Sequence, residues 1–165
     1  MAAREHLPGL ERGDRGVTAL CVGDGHWARM GVFVACATAW RAVSVDPVCK
    51  ASVTPRLGDL AGRVTFVRAG VPDAGRFPVT RRVVLFLLHA HVEIEWCLDA
   101  LAAACGAGGE CEVVGVVQVP CCQWVRRERA VRGRGPDAEY VDAAIDTNAN
   151  IVRVWQGRGL RVRGR

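Results

Sequence analysis

The sequence has no pair of cysteines at C-x-x-C spacing, although it holds eight cysteines, and that absence argues against a zinc ribbon or a thioredoxin-like redox site. It has no apolar run approaching the roughly 18 residues that a bilayer span needs. Its opening stretch, MAAREHLPGLERGDRG, is charged and lacks the apolar centre of a leader peptide. The resulting expectation is a soluble intracellular protein, cytoplasmic or nuclear, with no membrane partner. Repeats of the roughly 20 to 50 residues that build solenoids are missing as well. Without a secretory context the cysteines read as reduced, small core residues, with Cys21, Cys36, Cys97 and Cys111 inside apolar runs. The adjacent pair Cys121-Cys122 stands apart.

Lysine is nearly absent. Lys50 is the only one among 22 basic residues, so arginine carries the positive charge. The net charge of +5 is concentrated towards the end of the chain: residues 126–165 hold 10 Arg against 5 acidic groups, and the remainder balances 12 basic against 12 acidic. Arginine clusters suit phosphate recognition, so RNA or DNA is a candidate partner of this region, beside the alternative of a solvated basic face. A length of 165 residues with 50% hydrophobic and 24% charged content fits one globular domain spanning 1–165, ending in a frayed basic tail over 158–165.

What is present is an alternation. Val17-Thr18-Ala19-Leu20-Cys21-Val22 is an apolar run stopped by Gly23-Asp24-Gly25, the pattern of a buried parallel strand and a tight turn. Between 27 and 40, Met30, Val32, Phe33, Val34, Ala37 and Trp40 recur at helical spacing, and Ala42-Val43-Ser44-Val45 then reads as a second strand halted by Pro47. A short helical stretch over 57–60, a third strand over 64–67 and a wholly apolar fourth strand over 83–88 follow. A helix over 92–105 ends at the breaker Gly106-Ala107-Gly108-Gly109, and a fifth strand over 113–117 closes at Pro120. Beyond a polar, mobile loop at 126–135, residues 137–146 read as helix and 151–155 as a final strand. This order predicts an α/β fold with a doubly wound, mainly parallel sheet in three layers, α/β/α.

In such sheets ligands bind beyond the carboxyl ends of the strands, where the winding reverses. The glycines of Gly23-Asp24-Gly25 let the backbone approach a ligand closely. Asp46, 23 residues beyond Gly23, stands at the end of the second strand, where a carboxylate can accept hydrogen bonds from both ribose hydroxyls of an adenine nucleoside. A dinucleotide or S-adenosylmethionine would satisfy this. The dinucleotide fingerprint G-x-G-x-x-G is incomplete here, with Ala28 at its last position.

Through Ala19-Leu20-Cys21-Val22-Gly23-Asp24-Gly25 as a first motif and Val43-Ser44-Val45-Asp46-Pro47 as a second, the chain resembles the class I S-adenosylmethionine-dependent methyltransferases over about residues 17–125. The resemblance implies a Rossmann-like fold of methyltransferase type. It also implies that Gly23, Asp24 and Gly25 line the methionine part of the cofactor, that Asp46 holds the ribose, and that Asp73 or Val71 borders the adenine. His89 is placed to line the same pocket. One departure is size: these enzymes usually add a seventh strand in a terminal hairpin, and one strand is evident after Cys122, which leaves a reduced or inactive relative open.

The fourth strand ends in His89-Ala90-His91 and the fifth in Pro120-Cys121-Cys122, so neighbouring strands would bring two histidines and two cysteines to one rim. Helix capping and packing is one reading of them. A second is an acceptor site in which His91, with Cys121 and Cys122, orients or deprotonates the group to be methylated. Metal binding has suitable ligands but no familiar spacing. A Pro-Cys after a strand also resembles the thiolate setting of pyrimidine C5 methyltransferases. Trp124 beside Arg126, Arg127 and Arg129 suits stacking on bases and phosphate contact, or anchoring a loop. The leading reading is a small S-adenosylmethionine-dependent methyltransferase of unidentified acceptor, nucleic acid among the candidates. Its rivals are a non-catalytic domain of the same fold that binds nucleic acid or protein, and a nicotinamide-dependent oxidoreductase.

Overall fold

The computed structural model describes residues 5–50, 57–121, 130–145 and 150–164. Strand β1 (Val17–Val22) is buried along its whole length, as expected of an apolar run with neighbours on both edges and cover on both faces. The remaining elements are α1 (Arg29–Ala37), β2 (Arg41–Val45), a 3-10 helix at Gly58–Arg63, β3 (Val64–Val67), a 3-10 turn at Val71–Asp73, β4 (Arg82–Leu88), α2 (Ile94–Cys105), β5 (Glu110–Val119), β6 (Ala138–Val141), β7 (Ile151–Gln156) and β8 (Arg161–Arg163).

The strands form one sheet in the order β3-β2-β1-β4-β5-β7-β6, with β8 on the early part of β5. From β3 to β5 all pairs are parallel, and β7 runs antiparallel to both β5 and β6. The winding reverses between β1 and β4, so their carboxyl ends flank the crevice that this topology opens. This is the doubly wound, mainly parallel, three-layer fold expected, and no helix among the described residues is long and apolar enough to cross a membrane.

Strand alternation assigns the two faces. Leu20, Val83, Leu85, Val116 and Trp155 point to the face covered by α2, whose Ile94, Cys97, Leu98 and Leu101 follow the i, i+3, i+4, i+7 stripe of an amphipathic helix. Burying each such Leu or Ile contributes roughly 1.5–3 kcal/mol. Ala19, Cys21, Val84, Val117 and Val154 point to the opposite face, where α1 and the early residues Leu7 and Leu10 pack. The α1 layer is thin: the helix has 9 residues and buries Gly31, Val34 and Ala35.

Three expectations are corrected. Residues 138–141 form an edge strand rather than a helix, because their backbone completes a ladder with β7 from Ala138↔Val154 to Val141↔Ile151. The tail is not frayed as far as it is described: Arg161–Arg163 pairs with Glu110–Glu112, Val162 is buried, and Arg161 and Arg163 both reach Glu110. Three strands therefore follow Cys122, and the terminal antiparallel hairpin is present. Cys36 is exposed on the outward side of α1 instead of lying in the core, whereas Cys21, Cys49, Cys97 and Cys111 are buried.

Candidate functional site at the carboxyl edge of the sheet

The glycine turn after β1 is held by its neighbours on both sides. The Gly23 N–H donates to Val45 O at 3.0 Å, and its φ of 71° suits glycine. A Cβ at Gly23 would come within 2.8 Å of Ala90 Cβ and 3.0 Å of Ala90 Cα, so the missing side chain lets the loop after β4 close on the turn. Gly25, also at φ 71°, has open space where a Cβ would lie. Its N–H donates to Asp46 Oδ2 at 2.9 Å, while Val48 N–H donates to Asp46 Oδ1 at 2.8 Å. Asp46 itself is 8% exposed. An ionised carboxylate offers about four lone-pair positions, so these two bonds fix its orientation and leave acceptor capacity on each oxygen.

Asp24 has a different task. Its Oδ1 accepts from Met30 N–H at 2.7 Å, and its Oδ2 accepts from Gly31 N–H at 2.9 Å and from the Ser44 hydroxyl at 2.6 Å. The residue at the N-cap, Ala28, sits in the left-handed region at φ 48° and has no side chain that could cap. Asp24 therefore satisfies the orphan donors of the first helical turn from six and seven residues upstream, and ties β1, α1 and β2 together. Its side chain is turned into the protein, so the part it can offer a ligand is its backbone. Burial pushes its carboxyl above the ordinary range, opposed by the bonds from Ser44, Gly31 and Met30 and reinforced by the charge of Asp46.

The other candidates divide. Val71 is a buried core residue, and Asp73, two residues on in the same 3-10 turn, is exposed with its N–H bonded to Gly70 O. His89 is exposed at φ 55°, an uncommon conformation for a residue with a side chain, and its N–H donates to Val119 O at 2.8 Å. His91 and Cys121 do meet: His91 Nε2 lies 2.7 Å from Cys121 Sγ, joining the segments that leave β4 and β5. Cys122, Trp124, Arg126, Arg127 and Arg129 lie outside the described residues. Among the described residues no group of three or more His, Cys, Asp or Glu side chains is placed to hold a metal ion.

Two features escaped the sequence reading. Ser44 reads from the sequence only as a strand residue, and nothing in its local pattern announces the bond to Asp24. The exposed Trp27 carries Lys50 Nζ 5.9 Å from its ring centroid, while Lys50 N–H donates to His26 O at 3.1 Å, so the β1 turn and the segment after β2 are joined a second time.

Two cavities lie on the α1 side of the sheet. One, of about 320 Å³, lies between α1 and the sheet and is lined mainly by apolar side chains from the early residues Leu7 and Leu10, from α1 and from β4, β5 and β7, with Arg12, His89 and Asp142 also in its wall. A second is lined by Gly23, Asp24, Arg29, Met30, Phe33 and Leu88, of which the last three also line the first. Asp46, Val71 and Asp73 line neither of the two.

No family model and no curated protein matches the sequence. Among solved structures, the chain is similar to an RNA methyltransferase from Salinibacter ruber in complex with S-adenosyl-L-homocysteine, at 15% identity and a TM-score of 0.47, covering 93% of this chain and 88% of that one. A putative O-methyltransferase from Nostoc punctiforme is similar at 13% identity and a TM-score of 0.46, over 93% of this chain and 54% of that one. A geranyl diphosphate methyltransferase in complex with SAM is similar at 15% identity and a TM-score of 0.43, over 71% of this chain, which spans 48% of that protein's length.

Proposed function

We propose that this chain is a small S-adenosylmethionine-dependent methyltransferase whose cofactor lies along the carboxyl ends of β1 and β2. The observation that carries this reading is the bond from Gly25 N–H to Asp46 Oδ2 at 2.9 Å. It sets a buried, oriented carboxylate beside a glycine turn at the strand pair next to the winding reversal, where an adenosyl ribose needs two acceptors. Asp46 would take the ribose hydroxyls, the backbone of Gly23, Asp24 and Gly25 the methionine part, and Val71 and Asp73 the adenine border. The bound cofactor supplies an electrophilic methyl group. His91 with Cys121 would orient the acceptor at the end of β4, next to His89, where positioning matters more than acid-base strength.

A non-catalytic domain of the same fold is favoured by a separate observation: Gly23 is packed against Ala90 and the Asp24 side chain is spent on the helix, so part of the glycine turn already has an occupant. Thermal denaturation with S-adenosylhomocysteine and, separately, with NAD distinguishes the readings. A ligand at about 100 times its dissociation constant stabilises by about 2.7 kcal/mol. Methyl transfer predicts a rise in Tm with S-adenosylhomocysteine alone. A rise with NAD alone would make the chain an oxidoreductase, and no rise with either would leave the non-catalytic domain.

A further inference from the structure

The cavity beneath α1 has a definite size, a mainly apolar lining and a connection to the glycine turn. Its floor is the sheet, through Phe86 and Leu88 of β4, Val117 and Val119 of β5, and Val152 of β7; Leu7 and Leu10 close it from the early part of the chain. An apolar wall that nothing covers forgoes the contacts a packed neighbour would supply. A volume of about 320 Å³ holds about eleven non-hydrogen atoms at the roughly 30 Å³ each takes in a liquid.

Polar lining lies at both ends, with Arg12 and Thr38 on the side where β2 begins and a group of three at the carboxyl edge. His89 follows β4, Tyr140 is the penultimate residue of β6 and Asp142 follows that strand, and all three line the same cavity. The register places them together: Leu88 pairs with Val119, and Tyr140 with Val152 at the start of β7, which runs antiparallel to β5. His89 holds its place there in a left-handed conformation, and backbone of this strained kind clusters at ligand clamps. Met30, Phe33 and Leu88 are shared with the second cavity, which reaches Gly23 and Asp24, so the carboxyl-edge end of the site opens towards the turn.

Among the described residues of 126–165, each of the six arginines is paired with a carboxylate: Arg132 with Glu95, Arg134 and Arg158 with Asp137, Arg153 with Glu139, and Arg161 and Arg163 with Glu110. The basic excess of the described region is thus largely answered within the fold.

We propose that this cavity binds a compact, mainly apolar small molecule of one or two rings that presents a single hydroxyl or amino group to His89, Tyr140 and Asp142. The site stands on the cavity itself; its role as the acceptor site rests on the methyl-transfer reading above, with His89, Tyr140 and Asp142 meeting the reacting group in place of His91 and Cys121, which do not line the cavity.

Naphthalene and naphthol, which have the size required, are the probes. Calorimetry on the full chain should show saturable one-to-one binding of both. Isotope-filtered NMR should show contacts from naphthol to the methyl groups of Leu88, Val119 and Val152 in the unaltered protein. Val119→Phe and Val152→Phe, which fill the space from two different strands, should each weaken binding at least about tenfold while near-ultraviolet circular dichroism stays native. Absence of saturable binding, contacts elsewhere on the molecule, or unchanged affinity in a folded filled variant would overturn the site. So would a concentration-dependent dimer that excludes the probes, since a second copy would then be the occupant. In the same samples, S-adenosylhomocysteine binding without naphthol binding condemns the cavity alone, and naphthol binding without S-adenosylhomocysteine condemns the acceptor role alone.

Discussion

Gly25 and Asp46, 21 positions apart in sequence, are joined by a 2.9 Å hydrogen bond from the glycine N–H to the carboxylate. That bond and the one from Val48 N–H hold the carboxylate in one orientation at the ends of β1 and β2. A group fixed before its ligand arrives loses less freedom on binding, which is why so small a fold can present a defined polar site.

Gly31→Ala should destabilise the protein, against the usual sign. In a helix interior the change is normally favourable by about 1 kcal/mol. Here the added methyl would overlap Ser44 Oγ and lie 3.2 Å from Asp24 Oδ2, and such overpacking costs about 1–3 kcal/mol. Urea denaturation should show a lower midpoint for Gly31→Ala and recovery when Ser44→Ala is added. A stabilised single variant would mean that Asp24 and Ser44 do not enclose this position.

Asp24 sets a pH dependence whose sign is fixed by burial. Its carboxyl lies above the ordinary aspartate range in the folded protein, so the folded state keeps a proton that the unfolded chain has already lost. The stabilising contribution is complete below the ordinary aspartate value and declines as pH rises through the raised one. The stability of the unaltered protein relative to Asp24→Asn should therefore fall with rising pH across that window. A difference that grows with pH would contradict the buried placement of Asp24.

Thiol labelling tests the rim and the core together. Cys36 should react rapidly in the native protein, whereas Cys21, Cys49, Cys97 and Cys111 should react only on unfolding. Burial raises the thiol pKa of Cys21, Cys49 and Cys111, which slows them further. In a Cys122→Ser background, His91→Ala should change the labelling rate of Cys121 several-fold, because His91 Nε2 lies 2.7 Å from the sulfur. An unchanged rate would separate the two residues.

The sequence exposes the parallel half of the fold because its strands are buried on both faces and so read as continuous apolar runs; the third strand is found at 64–67, and the fourth begins one residue before its apolar run. Edge elements are harder to read. Residues 138–141 alternate half-buried and exposed, and Ala138 and Glu139 favour helix; the ladder with β7 decides their state. In Arg161-Val162-Arg163 the alternation is present but too short to weigh. At the site, the meeting of His91 and Cys121 follows from β4 and β5 being neighbours. The inward turn of Asp24 depends on helix donors and a hydroxyl from another strand, a three-way contact that no local pattern encodes. The apolar cavity is equally hidden, since its walls come from six separate segments.

Calorimetric titration of S-adenosylhomocysteine into the unaltered protein and into Asp46→Asn bears most directly on the proposed cofactor site. Loss of a charged acceptor that holds ribose hydroxyls costs about 1.5–3 kcal/mol, or roughly ten- to 150-fold in affinity. We predict measurable one-to-one binding that weakens by that factor in Asp46→Asn, with the variant's thermal unfolding still cooperative. No binding by the unaltered protein, or equal affinity in a folded Asp46→Asn, would contradict the placement of the cofactor on Asp46.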